Sequence, residues 1–221
     1  MRPSSLWERR LHRGVWLFAA GAMAGFLLES LDSLLTLGYL QNRQGMLYGP
    51  FSPIYGLGAL LLAAAAPRLR ARPVPVVFLA SALLGAAAEY LCALVQERAF
   101  GVRFWDYTGV GLDLHGRVNL VLTLCWGGLG VFFLLWLWPR FSRFVDSQPR
   151  RGLRLVSAAL LLFFLWDAGL SAAALVRQNQ RRWDLPAATA FGAYLDVRYP
   201  DQVLEDTFPT MTRAGVPEEN P

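Results

Sequence analysis

Residues 118–138 read VNLVLTLCWGGLGVFFLLWLW, a run of 21 positions without one charged side chain. At ~1.5 Å of helical rise per residue such a run covers about 30 Å, the thickness of a bilayer's hydrocarbon core. Working outward, apolar runs recur at 15–37, 51–66, 74–96 and 153–176. These five runs predict an all-α, polytopic membrane protein with five transmembrane helices. The run 51–66 is short and carries Pro53 near its start. It either begins nearer Gly45 or forms a re-entrant half-helix, which leaves four full spans. Composition agrees: 55% of the 221 residues are hydrophobic and 17% charged, against about a quarter charged in a soluble domain.

All 21 basic residues are Arg, and the chain has no Lys. That excludes a P-loop lysine, a Schiff base and a Ser-Lys dyad. Cys92, Cys125, His12 and His115 show no ligand spacing, so neither a zinc site nor a disulfide framework is expected. No cofactor and no metal are predicted. Arg residues cluster at helix ends rather than along one face, which argues against nucleic-acid binding.

Positive charge in short loops marks the cytoplasmic side. Arg2, Arg9, Arg10 and Arg13, then Arg68, Arg70 and Arg72, then Arg140, Arg143, Arg150, Arg151 and Arg154 fall on one side. Arg43, Arg98, Arg103 and Arg117 fall on the other, which predicts a cytoplasmic N-terminus; Arg177, Arg181 and Arg182 run against the pattern. The first span is read as a retained helix rather than a signal peptide, since Glu29 and Asp32 interrupt it and no small-residue cleavage motif follows Leu28. The expected organisation is a basic N-terminus (1–14), a bundle (15–176) with outer loops 38–50 and 97–117, and a polar tail (177–221). Within the tail, 187–195 reads as an interfacial helix and the last ten residues as disordered.

Each span carries one small and polar face. Gly21, Gly25, Glu29, Asp32 and Thr36 share it in the first helix, and Ser81, Gly85, Glu89, Cys92 and Gln96 in the third. Asn119, Thr123, Gly127 and Gly130 share it in the fourth, and Asp167, Ser171 and Ala174 in the fifth. Counted from the cytoplasmic ends, Glu29, Glu89 and Asp167 all lie roughly 21 to 22 Å up. Intramembrane acids are costly and must face the bundle interior, either as structural groups paired with Arg, Ser or Thr or as the lining of a polar cavity. The functional expectation is a cavity opening outward, with Arg117 either as the counter-ion of the three acids or as a bidentate clamp for a carboxylate or phosphate.

The outer loops supply the rest of the predicted lining. The first holds Tyr48, Gly49, Pro50, Pro53, Tyr55 and Gly56, punctuated densely enough to bend where it meets the cavity. The second holds Glu97, Trp105, Asp106, Tyr107, Asp113, His115, Gly116, Arg117 and Asn119. Candidate binding residues are therefore Glu29, Tyr48, Tyr55, Glu89, Glu97, Trp105, Asp106, Tyr107, Arg117, Asn119 and Asp167. Gly49, Pro50, Pro53, Gly56 and Gly116 form the structural turns.

GFLLE (25–29), YGPFSPIYG (48–56), EYLCALVQERAFGVRFWDY (89–107), LHGRVNL (114–120) and YPDQVLEDTFPTM (199–211) occur in this order. Together they resemble the small bacterial membrane proteins called putative ABC-transporter type IV. Glu29, Tyr48, Gly49, Pro50, Pro53, Tyr55, Gly56, Glu89, Tyr90, Glu97, Trp105, Asp106, Tyr107, Gly116 and Arg117 match the family's pattern. An Asn-Arg pair of that pattern falls on Arg43 and Gln44 without a gap, or on Asn42 and Arg43 with one inserted residue. Ser52 stands where the family commonly has Cys, and Asp113 where it often has Asn. The resemblance implies a bacterial inner-membrane permease whose ATPase, if it uses one, is a separate subunit. The predicted cytoplasmic connections of about 7 and 14 residues leave little room for a coupling helix. Two further readings stay open: an intramembrane enzyme using Asp106, Glu97 and Arg117 on a lipid-linked substrate, and a non-catalytic envelope assembly partner.

Overall fold

The computed structural model describes residues 6–214. Helix α1 (Leu6–Leu37) ends where Gly38 turns left-handed at φ 79°. After an irregular connection, α2 (Pro53–Leu69) starts with Pro in its first turn, where a missing N–H costs nothing. Helix α3 (Val74–Phe100) ends at Gly101, also left-handed. Next come β1 (Val102–Arg103), β2 (Asp113–Leu114) and β3 (Val118–Asn119). Helix α4 (Leu120–Phe132) passes through a π-helical segment (Phe133–Leu137) into α5 (Trp138–Ser147). The widened turn sits just before Pro139, which cannot donate to the Leu135 carbonyl four residues back. Helix α6 (Arg150–Arg182) follows, then α7 (Ala190–Arg198), α8 (Asp201–Thr207) and β4 (Thr212–Arg213).

Four helical stretches are long and apolar enough to cross a membrane: Trp7–Leu37, Val74–Phe100, Leu120–Ser147 and Arg150–Arg182. The fifth apolar run forms the 17-residue α2, which lies antiparallel to α1. Large apolar side chains such as Leu35, Leu83, Val121, Leu155 and Leu162 point outward, as a bilayer rather than water requires.

The small faces are where the helices touch. A methyl at Gly21 would stand 3.1 Å from Ala59 and from the Tyr55 carbonyl, and Gly25 lies directly under the Tyr55 ring. Between α3 and α4, Gly85 receives Trp126, Gly130 receives Ser81, and a methyl at Gly127 would stand 2.8 Å from Phe78. Close backbone approach of this kind drives association where lipid offers no hydrophobic contrast. One apolar cluster, Leu17, Leu62, Ala66, Val77, Phe133 and Leu134, fills the end of the bundle nearer the basic loops.

The tail is more ordered than its polar composition predicts. Residues 177–182 extend α6, and Leu195 of α7, Leu204 of α8 and the residues just after those helices, Tyr199 and Phe208, pack on Leu47, Ala174 and Leu175. Thr212 and Arg213, expected to be disordered, pair antiparallel with Arg103 and Val102; the remainder of that expectation, 215–221, lies outside the described residues. The reason is electrostatic as well as apolar. Arg177 grips Asp196 through Nε at 2.8 Å and Nη2 at 2.9 Å, and Arg181 spans Asp196 at 2.7 Å and Asp201 at 2.6 Å. Two of the three Arg residues that ran against the loop-charge pattern thus neutralise acids of the chain itself.

Candidate solute site

The second outer loop is a self-satisfied cap over the α3–α4 end of the bundle. Glu97, in the last turn of α3, accepts from Arg117 at 2.5 and 3.1 Å and pairs with Arg103 at 2.7 Å. Arg103 also donates to Asp106, whose other oxygen accepts from the Thr108 amide and hydroxyl. Burial alone would raise the Asp106 carboxyl, yet the Thr108 bonds and the Arg103 guanidinium together hold it below its ordinary range. Trp105 donates its indole N–H to the Arg117 carbonyl, and Asp113 accepts from the Gly109 and Gly116 amides. Gly116 is left-handed at φ 68° and lies against Asp106 and Thr108, so it has both a conformational and a steric reason to be Gly.

This arrangement corrects one expectation. Arg117 is not the counter-ion of Glu29, Glu89 and Asp167; its guanidinium serves Glu97 and Tyr90. Helices α3 and α4 are antiparallel neighbours, so the last turn of one and the residues opening the other meet and pair. Asn119 lies in the same place as the N-cap of α4, accepting the Leu122 amide at 2.8 Å.

Asp167, fully buried, parts from the other two acids as well. Its carboxylate accepts the Tyr48 amide at 3.2 and 3.3 Å and the Ser171 hydroxyl at 3.2 Å, while Ser171 accepts the Leu47 amide. A loop that re-enters the bundle brings backbone N–H groups with it, and this pair supplies their acceptors. Tyr48 stacks on Trp166 at 5.2 Å and shares a 2.7 Å hydroxyl contact with Tyr199. Gly49 makes the bend at φ 80°, followed by Pro50; Pro53 opens α2, and Gly56 packs on Phe18.

Four of the predicted residues do come together. Tyr107 folds back from the loop and donates its hydroxyl to Glu89 Oε1 at 3.1 Å. Burial, then the neighbouring Glu89 carboxylate, hold that phenol well above its ordinary pKa, so it remains a donor. Glu29 and Tyr55 lie within electrostatic reach of each other and of Glu89. Glu89 is only 6% exposed, and its Oε2 finds no hydrogen-bond partner among the described residues. Around this floor, Glu29, Tyr55 and Tyr107 are half-buried, so the cluster is not sealed off on every side.

Two members were missed in the sequence. Arg43, rather than Arg117, is the cation within reach of Glu29. Trp126 stands beside Glu89 and packs on Tyr55 with ring centroids 5.4 Å apart. The signal was present: Trp126 falls three residues after Thr123 and four before Gly130, on the inward face of α4.

Together these features make the chain a polytopic helical membrane protein with the Glu89–Tyr107 pair beneath a loop of mutually paired residues. The chain belongs to the family described as putative ABC-transporter type IV, whose model matches residues 16–172. Neither a curated protein nor a solved structure matches it.

Proposed function

We propose that the chain is a transporter or permease-like protein of the bacterial cytoplasmic membrane, with its N-terminus inside and a polar site reached from outside by a small polar or charged solute. The observation that carries this reading is Glu89: a carboxylate in the bundle interior, one oxygen held by Tyr107 and the other unpaired among the described residues. A purely structural acid is expected to have its lone pairs satisfied, as those of Asp167 are. Family membership supports a transport role. An ATP-driven version requires a separate ATPase subunit, because this chain has no Lys for a phosphate loop. The enzyme reading is weaker, since Glu97 is paired with Arg117 and Arg103, and Asp106 with Arg103.

Affinity purification from the native membrane in mild detergent, with mass spectrometry of retained small molecules and proteins, tests the reading. The expected result is a polar solute held by the wild type and released from Glu89→Gln, which still inserts and purifies. An EDTA-sensitive turnover of a lipid-linked substrate without solute movement would replace transport by the enzyme reading.

A further inference from the structure

We infer that the solute is an organic cation, a protonated amine or quaternary ammonium, seated against Glu89. This rests on reading the Glu29–Glu89 cluster as a solute site. Charge sets the sign. Arg43 stands within electrostatic reach of Glu29 and offsets only part of the cluster's charge, whereas the groups beside Glu89 are the Tyr107 hydroxyl and the Trp126 indole, neither of which carries a charge. Asp32 adds a further acid beside Glu29, so the cluster carries more negative than positive charge, and its Glu89 member is more than nine-tenths buried with an oxygen that makes no hydrogen bond among the described residues.

The walls set the class. Tyr55 and Trp126 lie with ring centroids 5.4 Å apart and planes inclined by 33°, and Tyr107 approaches the same carboxylate through its hydroxyl. Trp126 is wedged against Gly58 and Gly85, and the Tyr55 ring against Gly25, so the ring positions are fixed by backbone. A carboxylate with fixed aromatic rings beside it suits an alkylammonium, through charge and cation–π attraction. A small inorganic cation would instead seek several oxygen ligands, and among the described residues no group of three or more His, Cys, Asp or Glu could hold a metal.

The test is equilibrium binding to the full-length purified protein with n-butylammonium and tetramethylammonium as probes and butyrate and n-butanol as charge controls. Saturable binding of an ammonium probe alone is expected. Glu89→Gln should weaken it at least tenfold, and Trp126→Phe by severalfold, since Trp is the strongest of the cation–π rings. Arg43→Gln frees Glu29, so butane-1,4-diammonium should gain affinity relative to n-butylammonium, a change no folding defect produces. Equal or tighter binding of butyrate or butanol would overturn the cation while leaving a solute site in place. Retained ammonium affinity in both Glu89→Gln and Trp126→Phe would overturn the location. Absence of all probe binding would overturn the proposal, and solute flux in wild-type proteoliposomes would then show whether the transport reading falls with it.

Discussion

Replacing Glu97 by Gln separates the two jobs that this residue could hold. In the structure its carboxylate stands between Arg103 and Arg117, with side-chain exposures of 11% for Glu97, 18% for Arg103 and 14% for Arg117. Gln keeps the shape but removes the charge, and its amide presents N–H groups to a guanidinium that can only donate. Breaking a fully buried ion pair from one side costs ~3 to 5 kcal/mol, and partial exposure here lowers the expectation to roughly 2 to 4 kcal/mol. The loss should appear locally, as easier opening of the loop. At a factor of ten for each ~1.4 kcal/mol, amides such as Tyr107 N–H, bonded to the Gly116 carbonyl at 2.8 Å, should exchange roughly 30- to 1000-fold faster. Hydrogen exchange with mass spectrometry on the detergent-solubilised protein reads this directly, and peptides from α1 and α2 serve as the internal reference. Unchanged protection across 101–119 with loss of solute binding would refute the structural assignment and return Glu97 to the binding site.

Gly116→Ala should damage the same loop by another route, because the left-handed backbone costs a residue with a Cβ ~1 to 2 kcal/mol and the methyl meets Asp106 and Thr108. Its exchange pattern should match that of Glu97→Gln, and a wild-type pattern would show that the turn tolerates a side chain. The tail clasp should be sensitive to acid. Arg177 first, and Arg181 after it, hold Asp196 below its ordinary value of about 3.9, against a smaller opposing effect of burial. A depressed carboxylate contributes stability that is present above about pH 4 and is lost as pH falls through the folded value. Limited pepsin digestion should therefore cut between α6 and α8 increasingly below about pH 4, and Asp196→Asn should show the same cutting at higher pH; identical cleavage of both proteins would discount the clasp.

The fold was largely legible because the signals that carry it are long-range averages. Apolar runs of about twenty residues locate the spans, and four-residue spacing of Gly and Ser locates the touching faces. Each depends on many residues agreeing. Of the candidate site, Glu29 and Glu89 were legible from the inward faces of their helices and Tyr55 and Tyr107 from the loops, and these four lie together. Partner choice was not, because it depends on which helix ends come together. Arg117 and Glu97 are 20 positions apart and pair because α3 and α4 form a hairpin. Asp167 lies on the proper face of α6 at the proper depth, yet the re-entrant loop claims it through the Tyr48 amide, 119 positions away. Depth along a helix is a one-dimensional measure, and it cannot say which of several acids at one level will be taken by backbone.

The separation of Asp167 from Glu89 also gives a physical order to the acids of this bundle. A buried carboxylate is expensive unless its charge is compensated, so each one must have its cost met somewhere. Asp167 meets it with an amide and a hydroxyl, Glu97 with two guanidiniums, and Glu29 with Arg43 nearby. The first two hold a loop and close a cap, and the compensation of Glu29 is only partial. Glu89 has the neutral Tyr107 hydroxyl on one oxygen and the neutral Trp126 indole beside it, and its other oxygen makes no hydrogen bond among the described residues. The remaining compensation must come from a proton or a cation that is not covalently part of the protein, and both can be exchanged with the surroundings. The same deficit that leaves Glu89 under-satisfied makes its state depend on what arrives from outside.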